Sequence, residues 1–172
     1  YADFSIFDLL LAPPVKCTSL LQNNEVDIAL IPVGSLPQFS AVDIITSYCI
    51  GAEGAVGSVY LLSDTNLHQI QRIFSDVHSY TSNALVKVLS EHYWNIHPEF
   101  VTSDSYPPVH LRKGDAYISI GDKAFRMKEK HRTVIDLSAE WFAFTQKPFV
   151  FAVWASKEKV TSEVLKQFSQ AL

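Results

Sequence analysis

Four stretches of this chain are apolar along nearly their whole length: Val26 to Ile31, Val56 to Leu62, Ala116 to Ile120 and Phe149 to Ala155. A strand with one wet face alternates apolar and polar residues, whereas unbroken apolar runs belong to strands covered on both faces. The segments between them supply the cover. Phe4 to Leu11 reads as a further strand, Cys17 to Gln22 as a short helix ending at Asn23-Asn24, and Pro32 halts the strand from Val26. Val42 to Thr46 is a short strand, and apolar positions Ala84, Leu85, Val88 and Leu89 recur at helical spacing. Later come a strand near Glu99 to Val101, a helix from Asp122, a strand Thr133 to Leu137, a helix Ser138 to Phe144, and a final amphipathic helix Val160 to Leu172. Strands alternating with helices imply the α/β class, with an open, largely parallel sheet and helices on both faces. Val56 to Ser63 and Phe149 to Ser156 bracket about half the chain, as crossing strands do when one lobe is inserted into another. The expected division is residues 1–60 in a first lobe, 61–150 in the inserted lobe, and 151–172 returning to the first.

Charge and motifs exclude several classes of partner. A formal net charge of -4 with scattered Lys and Arg argues against a nucleic-acid binder, which carries a basic face. The cluster Lys123 to Arg132 alternates with acids and apolar residues and reads as the wet side of a helix. No apolar run approaches the roughly 18 residues of a membrane span, so no membrane is expected as a partner. The six histidines fall at no zinc spacing, and Glu91-His92 lacks the second His of a metalloprotease helix, so no metal is expected. There is no Walker loop and no Gly-x-Gly-x-x-Gly; Gly51, Gly54 and Gly57 read as a bent connection. Cys17 and Cys49 sit in apolar sequence and read as buried structural thiols.

The polar run from Asp76 to Leu85 carries the first chemistry. Ser79, Thr81 and Ser82 crowd the start of a helix, where unpaired backbone N–H groups and the positive end of the helix dipole favour a carboxylate or phosphate. The competing reading is that Ser79 or Thr81 only caps the helix, which such residues do routinely. In open α/β sheets ligands lie beyond the carboxyl ends of the strands, and those ends here supply Pro32-Val33-Gly34, Ser79 to Ser82, and Gly121-Asp122.

Six segments in order carry a resemblance. They are Asp27 to Pro32, Cys49 to Ala52, Gly57 to Ser63, the Ser79/Thr81/Ser82 cluster, Ile120 to Ala124, and Lys147 to Ala155. Together they resemble the chorismate dehydratases of the futalosine route to menaquinone, over essentially the whole chain. The resemblance implies a two-lobed periplasmic-binding-protein type II-like fold serving as a cytoplasmic lyase. It implies removal of water from chorismate, a dicarboxylate, giving 3-[(1-carboxyvinyl)oxy]benzoate with no cofactor. By the same carry-over Ser58 is catalytic, and Ser79, Thr81, Ser82, Gly121 and Asp122 bind the substrate. Aromatisation of the ring drives such a reaction, so the protein's task is to hold a dianion and manage one proton.

The pattern departs from the family in two respects. Its first strand, with a Ser-Tyr-Leu-Asn type motif, is expected upstream of Tyr1, and Tyr80 stands where the family usually has Arg. A guanidinium forks onto a carboxylate in a way that tyrosine does not, which bears on substrate affinity. No protein base is evident, which leaves the proton acceptor open, a carboxylate of the substrate itself being one candidate. Two other readings share the fold: 1,4-dihydroxy-6-naphthoate synthase of the same pathway, and a solute-binding protein that holds an organic anion without chemistry.

Overall fold

A computed structural model describes residues 7–76, 79–102, 108 and 110–172. In chain order the elements are α1 (Pro14–Gln22), β1 (Ala29–Pro32), β2 (Asp43–Ala52), β3 (Val59–Ser63), β4 (Arg72–Ser75), α2 (Tyr80–His92) and β5 (Glu99–Thr102). They continue with β6 (Asp115–Ile120), α3 (Asp122–Met127), β7 (Thr133–Asp136), α4 (Leu137–Thr145), β8 (Phe149–Ser156) and α5 (Ser162–Ala171). The expected strand Phe4 to Leu11 lies partly outside the described residues, and residues 7–11 form no strand.

The chain divides into two compact units, Tyr1–Ile50 with Val150–Leu172, and Gly51–Phe149. The division falls within β2 and at the start of β8, so the strand leading out of the first unit is β2. The expected crossing strand, Val56 to Ser63, instead supplies β3, which lies inside the sheet of the second unit.

In the first unit three strands lie in the order β1-β8-β2, and β1 runs antiparallel to β8 with Ile31 opposite Val153. Leu21, Ala29, Ile31, Val153 and Ala155 form the core. Pro14 starts α1 because its fixed φ suits a first helical turn and its missing N–H removes a donor that the helix leaves unpaired. Asn24, at φ 57°, ends that turn of chain in the left-handed region that Asn tolerates. The amphipathic α5 buries Phe168 and Ala171, with Phe168 edge-on to Trp154 at 4.9 Å between centroids. The reading of both cysteines as buried thiols needs correction. Cys49 is exposed on β2, as are Ile44, Tyr48 and Ile50 beside it, because β2 is at the end of the strand order. Apolar sequence marks burial only where a strand is covered. Cys17 is half-buried, and burial pushes its thiol up.

In the second unit five strands lie in the order β5-β4-β6-β3-β7. β3 is buried at every position and β6 at all but the last, which accounts for their unbroken apolar sequence. β4, α2 and β5 form a crossover unit, with β4 parallel to β5 and to β6. β3 runs antiparallel to both β6 and β7. Both sheets therefore contain reversed strands, and the expectation of a largely parallel sheet is corrected to mixed. Unbroken apolar runs report cover on two faces and say nothing of direction. Tyr60, Leu62, Phe74 and Tyr117 cluster with Ala124 of α3, while α4 packs against α2 and β3.

The N-terminal end of this sheet's central strands is tied by ion pairing. Arg72 opens β4 opposite Asp115, which opens β6, and the guanidinium forks onto the carboxylate through Nε and Nη2, each at 2.7 Å. Burial pushes the Asp115 carboxyl up, but the Arg72 bond, the Arg112 backbone N–H and the charges of both arginines outweigh it and hold it below its ordinary value.

Candidate functional site

Strand register brings the sequence-predicted residues to one edge of the five-stranded sheet. Val59, the first residue of β3, lies opposite Ile120, the last of β6, and Tyr60 lies opposite Asp136, the last of β7. β4 runs parallel to β6, so its carboxyl end faces the same way. The segments before β3 and after β4, β6 and β7 thus share this edge. They carry Gly57-Ser58, Ser79 to Ser82, Gly121-Asp122 and Asp136.

At the end of β4 the chain turns into α2 under the control of Asn83. Its Nδ2 donates to the Asp76 carbonyl at 2.7 Å, and the Asp76 N–H donates to its Oδ1 at 3.0 Å. The amide side chain thereby acts like a short piece of partner strand, fixing the strand end to the helix. The Ser79 N–H also donates to the Asp76 carbonyl, at 3.0 Å. Val77 and His78 of the polar run lie outside the described residues. Ser79 stands at the N-cap position, yet its side chain makes no capping bond. Its hydroxyl instead donates to Ser82 Oγ at 2.8 Å, and both residues are buried. Capping by Ser79 is therefore not what occupies that hydroxyl. Ser82 accepts from Ser79 and keeps its own O–H as a donor. Thr81 is buried in the same turn, and Tyr80 is half-buried.

Ser58 is half-buried just before β3. Its carbonyl accepts the Gly121 N–H at 2.9 Å, so the structure joins these two predicted residues directly. Gly121 takes φ 64° and ψ -151°, a combination open in practice only to glycine. Its N–H is engaged by Ser58, and a side chain added there meets nothing within 4 Å. Asp122 follows as an exposed residue opening α3.

Asp136 was not among the residues the sequence singled out. One oxygen, Oδ1, accepts from the N–H groups of Ser138 at 3.0 Å and Ala139 at 3.1 Å, the normal cap of α4, and from Val56 at 3.3 Å. The other, Oδ2, accepts from Gly57 N–H at 2.7 Å. An Asp before an apolar helical run signals a cap. Nothing local signals its bonds to a loop some eighty positions upstream.

Away from this edge, Tyr117 is buried with its hydroxyl 3.0 Å from His131 Nε2, and His131 Nδ1 lies 3.3 Å from Asp64 Oδ1. Burial, with a smaller push from the Asp64 charge, raises the phenol to about 12. Among the described residues no group of three or more His, Cys, Asp or Glu is placed to hold a metal ion. Among them, too, no helix is long and apolar enough to cross a membrane.

Comparison with known proteins gives the edge a context. The chain is 27% identical to a Thermus thermophilus protein named chorismate dehydratase, over 89% of this chain and 62% of that protein. It therefore spans less than two thirds of that relative's length. A crystallised protein of Archaeoglobus fulgidus matches with a TM-score of 0.69 at 16% identity, covering 94% of this chain and 61% of that one. A Candida albicans gene product with the generic periplasmic binding protein fold matches with a TM-score of 0.53 at 13% identity, over 95% of this chain and 56% of that one. These likenesses establish an α/β fold of the periplasmic-binding-protein kind. The family described as menaquinone biosynthesis matches residues 3–172, and the chain belongs to that family.

Proposed function

We propose that this chain forms part of a chorismate dehydratase, a hydro-lyase that acts in the cytoplasm on the futalosine route to menaquinone. The reaction breaks the ring C–O bond and a ring C–H bond of chorismate, releases water, and leaves the aromatic 3-[(1-carboxyvinyl)oxy]benzoate. The observation that carries the reading is the buried Ser79 to Ser82 hydroxyl bond at the start of α2, on the same sheet edge as Ser58 and Gly121. A hydroxyl that already accepts a hydrogen bond is a stronger donor, so Ser82 is primed to donate to a carboxylate. The first-turn N–H groups of α2 add donors, and the helix dipole favours the negative charge.

Each predicted residue then has a part. Ser82 donates to a substrate carboxylate, Ser79 supports it by donating to Ser82 Oγ, and Thr81 lines the same turn beside the carboxylate. Gly121 and Asp122 border the bound ring, Gly121 offering bare backbone where a side chain has open space around it. Ser58 donates to the oxygen on which charge develops as the C–O bond breaks, a contact stronger in the transition state than in the ground state. The ring proton passes to a carboxylate of the substrate itself, which gives it to the departing hydroxyl oxygen so that water leaves and the carboxylate is restored. The family membership and the Thermus relative's name support the reading, while the hydroxyl-lined edge also suits binding of an organic anion without chemistry.

Replacing Ser58 with Ala tests the assignment. Turnover of chorismate by the full-length protein, followed by chromatography with EDTA present, should fall by about 100-fold or more, as for loss of a transition-state donor. The urea unfolding midpoint should barely move. Equal turnover in the variant and the wild type overturns the role of Ser58; tight chorismate binding with no turnover in either favours the anion-binding protein.

A further inference from the structure

Resting on the dehydratase reading of the site, we infer that Asp136 is a positioning residue for Ser58. A capping aspartate needs one oxygen, and Asn or Ser caps about as well. Asp136 uses one oxygen for the cap and directs the second, Oδ2, to the Gly57 N–H at 2.7 Å, the shortest of its four bonds. The helix alone does not call for a carboxylate at this position; the loop does. Gly57 sits at φ 74°, and glycine there has wide conformational freedom that an outside contact must restrain.

Ser58 lies between two anchors. On its N-terminal side Asp136 holds the N–H groups of Val56 and Gly57. On its C-terminal side its own carbonyl takes the Gly121 N–H, and Val59 enters the ladder opposite Ile120. Two fixed ends set the direction of the one side chain between them. Releasing the Gly57 end lets Ser58 turn about the remaining anchor. Asp136 touches no substrate in this scheme and acts through the loop.

Asp136→Asn and Asp136→Ser separate the two tasks of the carboxylate. Asn keeps an oxygen for Ser138 and Ala139 but sets an NH2 against the Gly57 N–H, while Ser caps and has no second oxygen. In the full-length protein, amide exchange at Gly57 should quicken about tenfold or more in both variants as its bond to Oδ2 is lost, while Val56, bonded to the oxygen that Asn retains, should quicken in the Ser variant. The kcat for chorismate should fall about 10- to 100-fold while KM stays within about twofold, because a displaced group loses its transition-state contact and not ground-state binding. The urea midpoint should stay near that of the wild type. Wild-type exchange at Gly57 in both variants overturns the inference, and so does a kcat that changes only in step with the fraction unfolded. A wild-type protein that leaves chorismate unchanged refutes the dehydratase reading, and the exchange comparison then decides alone whether Asp136 holds the loop.

Discussion

Ser82→Ala separates a hydroxyl that binds an anion from one that only packs. Ser79 donates to Ser82 at 2.8 Å, and both side chains are buried, with residues 8% and 2% exposed. Removing Ser82 Oγ leaves the Ser79 O–H without that acceptor, which costs about 1 kcal/mol because the slight exposure of Ser79 keeps the penalty at the low end of the usual range of about 1–3 kcal/mol. The double variant Ser79→Ala with Ser82→Ala removes donor and acceptor together and should be more stable than the sum of the single losses predicts. Binding should behave differently. A hydrogen bond to a charged group contributes about 1.5–3 kcal/mol, so chorismate affinity should fall about tenfold to a hundredfold in Ser82→Ala and stay lost in the double variant. Urea unfolding and titration calorimetry at low salt measure the two quantities on the same protein. Affinity within about twofold of the wild type, alongside the expected loss of stability, refutes the binding role and leaves a buried serine pair that orders the helix start.

Three further outcomes follow from geometry elsewhere in the second unit. Asp115 is held below its ordinary value, so its ionised form stabilises the fold fully above the unfolded pKa and loses that contribution as pH falls through the folded one; Arg72→Met, leaving the buried carboxylate without its fork, should be less stable at neutral pH and lose less stability on acidification than the wild type, and an acid limb parallel to that of the wild type contradicts this. Tyr117 is raised from 10.0 to about 12, so its neutral form stabilises the fold below the unfolded value and the gain is lost as pH rises through the folded one; Tyr117→Phe should flatten the stability profile over that interval, and a parallel profile contradicts it. Gly121→Ala meets no steric obstacle, yet φ 64° and ψ -151° should cost it about 1–3 kcal/mol in urea unfolding, whereas a neutral substitution shows that this backbone relaxes.

The elements that read best from sequence are those whose burial is two-sided or whose ends are punctuated. β3 and β6 announced themselves by unbroken apolar runs, and the end of α1 by the Asn pair, whereas its start at Pro14 lies three residues before the expected Cys17. Strand direction was not legible, because covering helices demand the same residues on a parallel or an antiparallel strand. β4 is only four residues long and starts on Arg72, so its charge hid a central strand until Asp115 supplied the counter-ion. At the site, the hydroxyl cluster was visible as a local pattern of residue types. That Ser79 bonds Ser82 and does not cap was not visible, since both readings ask for the same serine at the same place. Asp136 was not singled out, because its bonds to Val56 and Gly57 join segments that only the β3 to β7 pairing brings together.

The most direct test of the proposed chemistry is to follow chorismate by proton NMR in the presence of the full-length protein and EDTA. The dehydratase reading predicts loss of the ring's olefinic signals and the appearance of aromatic protons with the enolpyruvyl methylene retained, the product lighter than chorismate by one water in mass spectrometry. Chorismate that binds, broadening its signals, yet persists unchanged over hours contradicts the reading and identifies the edge as an anion-binding site without chemistry.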